Sequence, residues 1–142
     1  MNVQRFRELH AGPSLLVLAN AWDGASAAVI EYAGGAAVAT TSAGVAWSCG
    51  WPDGDQLPAA EMLAAARRIA RAVSVPLTVD IEEGCSDDPA EVAAFVSSLV
   101  DAGVAGINIE DGSKDPEVLV AKLRAIRAAL GQRDLYVNAR TD

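Results

Sequence analysis

Short apolar runs alternate with longer stretches of helical periodicity along this chain, and the order repeats five times. The runs are Leu15 to Ala19, Ala37 to Thr41, Leu77 to Ile81, Gly106 to Ile109 and Leu135 to Ala139, and they read as strands. Between them Met62, Ala66, Ile69 and Val73 fall at i, i+4, i+7 and i+11, as do Leu119, Leu123, Ile126 and Leu130. That is the spacing of one buried helix face. Helix punctuation agrees: Asp88-Pro89-Ala90-Glu91 supplies an N-cap, a first-turn proline and an acid at the third position, and Asp115-Pro116 repeats the cap. Gly103 and Gly131 stand where helices end. Near-continuously apolar strands joined by helices predict a parallel sheet covered on both faces, because parallel strands need long crossovers. The class is α/β, with the five strands pairing in sequence order by right-handed crossovers.

Polar residues gather at the C-terminal end of each run. Asn20 and Asp23 follow the first, Thr41-Ser42 the second, and Asp80 and Glu82 the third; Asn108 and Glu110 lie in the fourth, Asn138 and Arg140 in the fifth. In parallel α/β folds this edge carries the active site. Alternation along a strand puts Asp80 with Glu82, Asn108 with Glu110, and Asn138 with Arg140 on shared faces. Three acids, Asp80, Glu82 and Glu110, then converge from neighbouring strands and repel one another unless a cation joins them. Carboxylate-only ligation points to Mg²⁺, with Mn²⁺ as the alternative. Each acid taken singly fits a solvated helix cap equally well, and Arg140 fits a structural salt bridge to a strand-end acid.

Composition narrows the partners. The 142 residues carry 19 Asp and Glu against 11 Lys and Arg, a net charge of −8, with 51% hydrophobic residues. That is material for one folded domain over residues 1–142, with a surface that repels phosphate backbones and anionic lipid, so neither nucleic acid nor membrane is an expected partner. Cys49 and Cys85 form no disulfide framework and no zinc pattern, consistent with reduced thiols in the cytoplasm. Two stretches imitate targeting signals. Arg5 and Arg7 ahead of Leu15 to Ala21 have a leader-like order, but Glu8 and Pro13 interrupt it and a buried strand is the better reading. The uncharged run from Tyr32 to Pro52 has the length of a bilayer span, yet its glycines, threonines and serines make it a strand followed by a closely approaching loop.

Taken together, Asn20-Ala21-Trp22-Asp23, Thr41-Ser42-Ala43-Gly44-Val45 leading to Gly50-Trp51-Pro52-Asp53, Val79-Asp80-Ile81-Glu82-Glu83-Gly84, Asn108-Ile109-Glu110-Asp111 and Asn138-Ala139-Arg140-Thr141-Asp142 resemble the isocitrate lyase/phosphoenolpyruvate mutase superfamily over essentially the whole chain. The resemblance implies a (β/α)₈ barrel of the TIM type, Mg²⁺ dependence and small 2-oxo acid substrates that pass through an enolpyruvate-type intermediate. Carried over by position, it makes Asp80, Glu82 and Glu110 the metal carboxylates, partly through water, and Asp53 a mobile acid over the substrate. It makes Thr41, Ser42, Ala43 and Gly44 a loop whose backbone donors hold the substrate carboxylate, beside Asp80 and Asn108, with Arg140 gripping an anionic group.

Two departures qualify the resemblance. A complete barrel takes about 250 residues, so only about five β/α units are expected here, with outer strands whose unpaired edges favour homo-oligomers. Whether the chain is a fragment, is completed from elsewhere or persists as an open sheet stays open at this stage. The second departure follows Glu110-Asp111, where the superfamily's lyases carry a Lys-Lys-Cys-Gly-His-like loop. This chain reads Gly112-Ser113-Lys114-Asp115-Pro116, which disfavours an isocitrate-type lyase. The expected function is lyase or phosphomutase chemistry on phosphonopyruvate- or oxaloacetate-like substrates; the competing expectation is a non-catalytic remnant or a regulatory partner of a full-length relative.

Overall fold

The computed structural model describes residues 2–141. Its strands are β1 (Ala19–Ala21), β2 (Val38–Thr40), β3 (Leu77–Asp80), β4 (Gly106–Glu110) and β5 (Tyr136–Arg140). Its helices are α1 (Asn2–Ala11), α2 (Gly24–Tyr32), α3 (Ser42–Ser48), α4 (Ala59–Ala72), α5 (Pro89–Asp101) and α6 (Pro116–Leu130). All strands run parallel and pair in sequence order from β1 to β5, the α/β expectation in full. Among the described residues no helix is long and apolar enough to cross a membrane.

Register divides the sheet into two unlike faces. One carries Val38, Leu77, Val79, Ile81, Ile107 and Ile109, all buried, against Met62, Ala66 and Ile69 of α4, Val92, Val96 and Leu99 of α5, and Leu119, Ile126 and Leu130 of α6. Burying each such side chain stabilises the fold by roughly 1.5–3 kcal/mol, whereas an exposed ion pair gives roughly 0–1 kcal/mol. The helix layer is therefore set by apolar contact. The caps work as their sequence predicts: Asp88 accepts from the Ala90 amide at 2.8 Å and Asp115 from the Glu117 amide at 2.9 Å. Asp23, grouped by sequence with the strand-end polar residues, caps α2 through a reciprocal box with Ser26.

The opposite face is apolar only at its N-terminal end, where α1 closes it. Phe6, 1% exposed, sits against Gly106, where an added Cβ would meet Phe6 Cε1 at 2.9 Å and the Tyr136 carbonyl at 3.2 Å. Arg7 forks onto the Asp134 carboxylate at 2.7 and 3.2 Å, and the His10 ring stacks on Tyr136 at 4.3 Å. The leader-like order of Arg5 and Arg7 ahead of Leu15 predicts no helix here; tertiary contacts to β5 hold one in place.

The first strand also differs from expectation. Leu15 to Ala19 reads as a strand buried on both faces, but the strand is Ala19–Ala21. Leu16 and Leu18 pack beside α1, while Leu15 and Val17 are 91% and 73% exposed. Only one side of that run has a layer to cover it. Residues 42–48 are likewise a short helix rather than the loop expected after β2.

Phe6 and Leu15 give a direct test of which apolar residues hold the fold. Phe6→Ala is expected to lower the unfolding free energy by about 3–5 kcal/mol, and Leu15→Ala to change it by no more than about 0.5 kcal/mol. Urea denaturation followed by circular dichroism reads both.

Candidate active site

The polar strand ends meet at the C-terminal edge of the face that α1 closes from below. Asp80, Asn108 and Asn138 stand in register across β3, β4 and β5, and the pair Glu110 and Arg140 forms the next step. Parallel registration points in-register side chains to one face, so these residues line it together. Asn138 Nδ2 donates to Asn108 Oδ1 at 3.1 Å, and Arg140 Nη2 lies 2.6 Å from Glu110 Oε2. The Arg140 ion pair is thus the structural one that sequence left open beside the substrate role. The Asp80 amide donates to Thr40 Oγ1 at 2.9 Å, which ties β3 to the residue before Thr41. Asp142, the last residue of the fifth motif, lies outside the described residues.

Glu82 reaches this edge by a route that strand alternation does not provide. The ladder ends as the Ile81 amide donates to the Asn108 carbonyl at 3.0 Å, and then Glu82, Gly84 and Cys85 take φ values of +50°, +99° and +61°. Such left-handed geometry costs a non-glycine residue about 1–2 kcal/mol, so the turn needs outside support. The Glu110 amide supplies part of it, donating to the Glu82 carbonyl at 2.9 Å. The turn swings Glu82 back so that its amide donates to Asp80 Oδ1 at 3.3 Å.

Carboxylates crowd the turn. The Glu82 carboxyl accepts from the Asp55 amide, yet burial holds it above its ordinary range, and the charges of Asp55, Asp53 and Asp80 push the same way. Asp55 is raised as well, first by desolvation against the turn, against the pull of a hydrogen bond from the Cys85 amide. Burial pushes the Cys85 thiol up to about 12, helped by Asp55 and Glu82. Asp53 is exposed in the same 53–55 turn, within reach of Glu82 by its charge. Asp55 was missed by sequence reasoning, which stopped at Pro52-Asp53; the Gly54-Asp55 pair, a turn signal with φ of +90° and +58°, was the available cue.

Thr41, Ser42, Ala43 and Gly44 are half-buried at the start of α3, with Thr41 as its N-cap residue. A Cβ on Gly44 would lie 2.7 Å from Thr41 Cγ2 and 3.1 Å from Trp22 Cβ, so packing against Trp22 already demands the glycine. A cavity of 540 Å³ opens beside it, walled by Trp22, Thr41, Ala43, Gly44, Trp47 and Ser48.

Among the described residues, no three Asp, Glu, His or Cys side chains close on a point suited to a metal ion. Asp80 and Glu82 are joined through the turn, while Glu110 is engaged by Arg140. This oxygen-only pair fits Mg²⁺, which keeps several waters and takes one or two carboxylates rather than a full protein cage. The charges of Asp55, Asp53 and Asp80, which add to burial in holding Glu82 above its ordinary range, are the charge such an ion relieves.

Comparison with known proteins places this edge in context. The model of the family described as phosphoenolpyruvate phosphomutase matches residues 6–142. An uncharacterised protein of Mycobacterium tuberculosis strain H37Rv is 40% identical over 141 residues, covering 96% of this chain and 52% of that one. The 2-methylisocitrate lyase of Bacillus subtilis is 32% identical over 151 residues, covering 97% of this chain and 49% of that enzyme. A crystal structure from Burkholderia cenocepacia, provisionally named a phosphonomutase, superposes with a TM-score of 0.93 at 38% identity, over 99% of this chain and 60% of that one. The chain spans about half the length of the curated relatives it matches.

The raised carboxyls set a sign for the pH dependence of folding. A raised acid binds its proton more tightly in the folded chain, so its contribution is full below the ordinary carboxylate value of 4.5 and is lost as pH climbs through the folded value. Glu82→Gln keeps an acceptor for the Asp55 amide and removes that loss. In EDTA the variant is expected to melt at or above wild type near about pH 7, with the gap closing towards about pH 4. A gap of constant size across that range would show that Glu82 is not held above its ordinary range.

Proposed function

The chain belongs to the phosphoenolpyruvate phosphomutase family, and on that premise we propose that it forms the part of an Mg²⁺-dependent lyase or phosphomutase that binds a small 2-oxo acid and carries it through an enolate. The observation that supports this reading best is the stepped polar edge, Asp80, Asn108 and Asn138 in register with Glu110 and Arg140 beyond them. The face is apolar beneath, where α1 covers it, and gathers its charged side chains along this edge.

The chemistry asks for few parts. Cleaving the bond between the carbon beside the oxo group and its carboxyl or phosphoryl substituent leaves the electron pair on the substrate as an enolate. The carboxyl departs as CO₂, or the phosphoryl passes to water or to the enolate oxygen, and where the enolate is left free a proton delivered to that carbon completes pyruvate. Asp80, Glu82 and Glu110 would hold Mg²⁺, partly through water, and the ion would supply positive charge to offset negative charge developing on the substrate. Arg140 turns part of its fork from Glu110 to an anionic oxygen pair of the substrate, a geometry guanidinium suits. Backbone donors from Thr41 to Gly44 take the substrate carboxylate, Asn108 orients the oxo group, and exposed Asp53 closes over the substrate to exchange the proton. Phosphonopyruvate-like and oxaloacetate-like acids both meet these demands. Mn²⁺ serves in place of Mg²⁺. Assembly into homo-oligomers belongs to the same reading.

Incubation with phosphonopyruvate, oxaloacetate and 2-methylisocitrate, with and without Mg²⁺, tests the reading on this chain and on any longer version of it. Metal-dependent formation of a pyruvate-type product is expected from one of the panel, and Asp80→Ala is expected to lower kcat/KM by about 100-fold or more. Absence of product together with an unchanged melting temperature on adding Mg²⁺ would transfer the weight to a non-catalytic role.

A further inference from the structure

One buried cation has no part in the reaction scheme above. Lys122, on α6, is 1% exposed, and its Nζ donates to the Glu83 carbonyl at 2.7 Å, with Asp87 Oδ1 at 3.9 Å. Lysine is almost never fully buried unless it is paired, and here the partner is a main-chain oxygen in the turn that delivers Glu82. The carbonyl before it, that of Glu82, is already held by the Glu110 amide at 2.9 Å. Two successive carbonyls of the left-handed turn are therefore pinned from two different elements, β4 and α6. On the far side Gly84 leaves no slack, since a Cβ there would lie 2.9 Å from Val92 Cγ1.

Lys114 plays a different part nearby. It pairs with the side chains of Glu83 and Asp87 and is itself part-exposed. Of the two lysines, Lys122 is the one bonded to the backbone that sets the Glu82 direction.

We propose that Lys122 is a positioning residue: its ammonium group clamps the Glu83 carbonyl and so holds the turn in the form that aims the Glu82 carboxylate at the Asp80 edge. The proposal rests on the reading of Asp80 and Glu82 as metal carboxylates for its catalytic meaning, and on the turn geometry for its structural one. Sign separates it from a bystander charge. Removing a nearby positive charge by itself tightens cation binding, whereas releasing a positioned ligand weakens it, by about tenfold or more for supporting partners of this kind.

The test uses the wild-type chain, Lys122→Met and Lys122→Gln, the last keeping a donor without the charge. Half-buried Cys85 lies in the turn and Cys49 lies outside it, so peptide-resolved alkylation by iodoacetamide reads the turn and the rest of the fold separately. Mn²⁺ binding by electron paramagnetic resonance reads the site. Lys122→Met is expected to alkylate Cys85 about tenfold faster with Cys49 unchanged, and to bind Mn²⁺ about tenfold more weakly; Lys122→Gln is expected to match wild type in both. An unchanged Cys85 rate in Lys122→Met overturns the clamp, as does Mn²⁺ binding as tight as wild type or tighter. Weak binding by Lys122→Gln equal to that of the Met variant also overturns it, because a restored donor would then fail to restore the site. Should Lys122→Met fail to fold, seen as fast alkylation at both cysteines, Lys122→Gln decides: wild-type rates support the clamp and a faster Cys85 overturns it. If the wild-type chain binds no Mn²⁺, the metal reading falls, and the alkylation rates alone decide the clamp.

Discussion

Parallel registration governs this molecule. With every strand running the same way, all C-termini arrive at one edge, and the alignment of Asp80 with Asn108 and Asn138 fixes which side chains face one another there. The same register sends Leu77, Val79, Ile107 and Ile109 to the helix side. A slip of one residue would exchange the two sets, burying carboxylates among α4, α5 and α6 and exposing the aliphatic core. Packing and chemistry are thus fixed by one alignment, and neither face can be altered without the other.

Charge follows from that geometry. An edge that collects Asp80, Glu82 and Glu110, with Asp53 and Asp55 on the adjoining turn, is short of cations. The protein divides the supply. Arg140 answers Glu110, and Lys114 answers Glu83 and Asp87 on the outer side of the turn. The inner group of Asp55 and Glu82 is left with raised carboxyls. An acidic group kept in that state by its own fold is receptive to an external cation, which is the physical content of the Mg²⁺ reading.

What could be read from sequence was what is decided locally. The helix caps at Asp88 and Asp115 and the amphipathic stripes of α4 and α6 depend on residues within a turn or two, the order of the strands follows from the general handedness of crossovers, and the structure has them in place. The polar strand ends were legible for the same reason. Tertiary context decided the rest. Leu15 and Val17 are as apolar as any core residue but have no layer over them. Residues 42–48 turn helical after a threonine that sequence assigned to a loop. Glu82 joins Asp80 through a left-handed turn supported from β4 and α6, which no pattern of alternation encodes. Asp55 entered the acidic group because Gly54 redirects the chain towards Glu82, a contact across 27 residues.

The docking of α1 beneath the sheet has a consequence for how the protein is made. Its chief partners, Asp134 and Tyr136, lie at the start of β5, and the Arg7 to Asp134 bond closes 127 residues of chain. A ribosome adding about 5–20 residues per second delivers β5 roughly 6–25 s after α1 has emerged. Through that interval Phe6 has no Tyr136 to cover it, and for most of it no Gly106. α1 is therefore made before the strand it is seated against, and Phe6 lacks its Tyr136 cover until β5 follows.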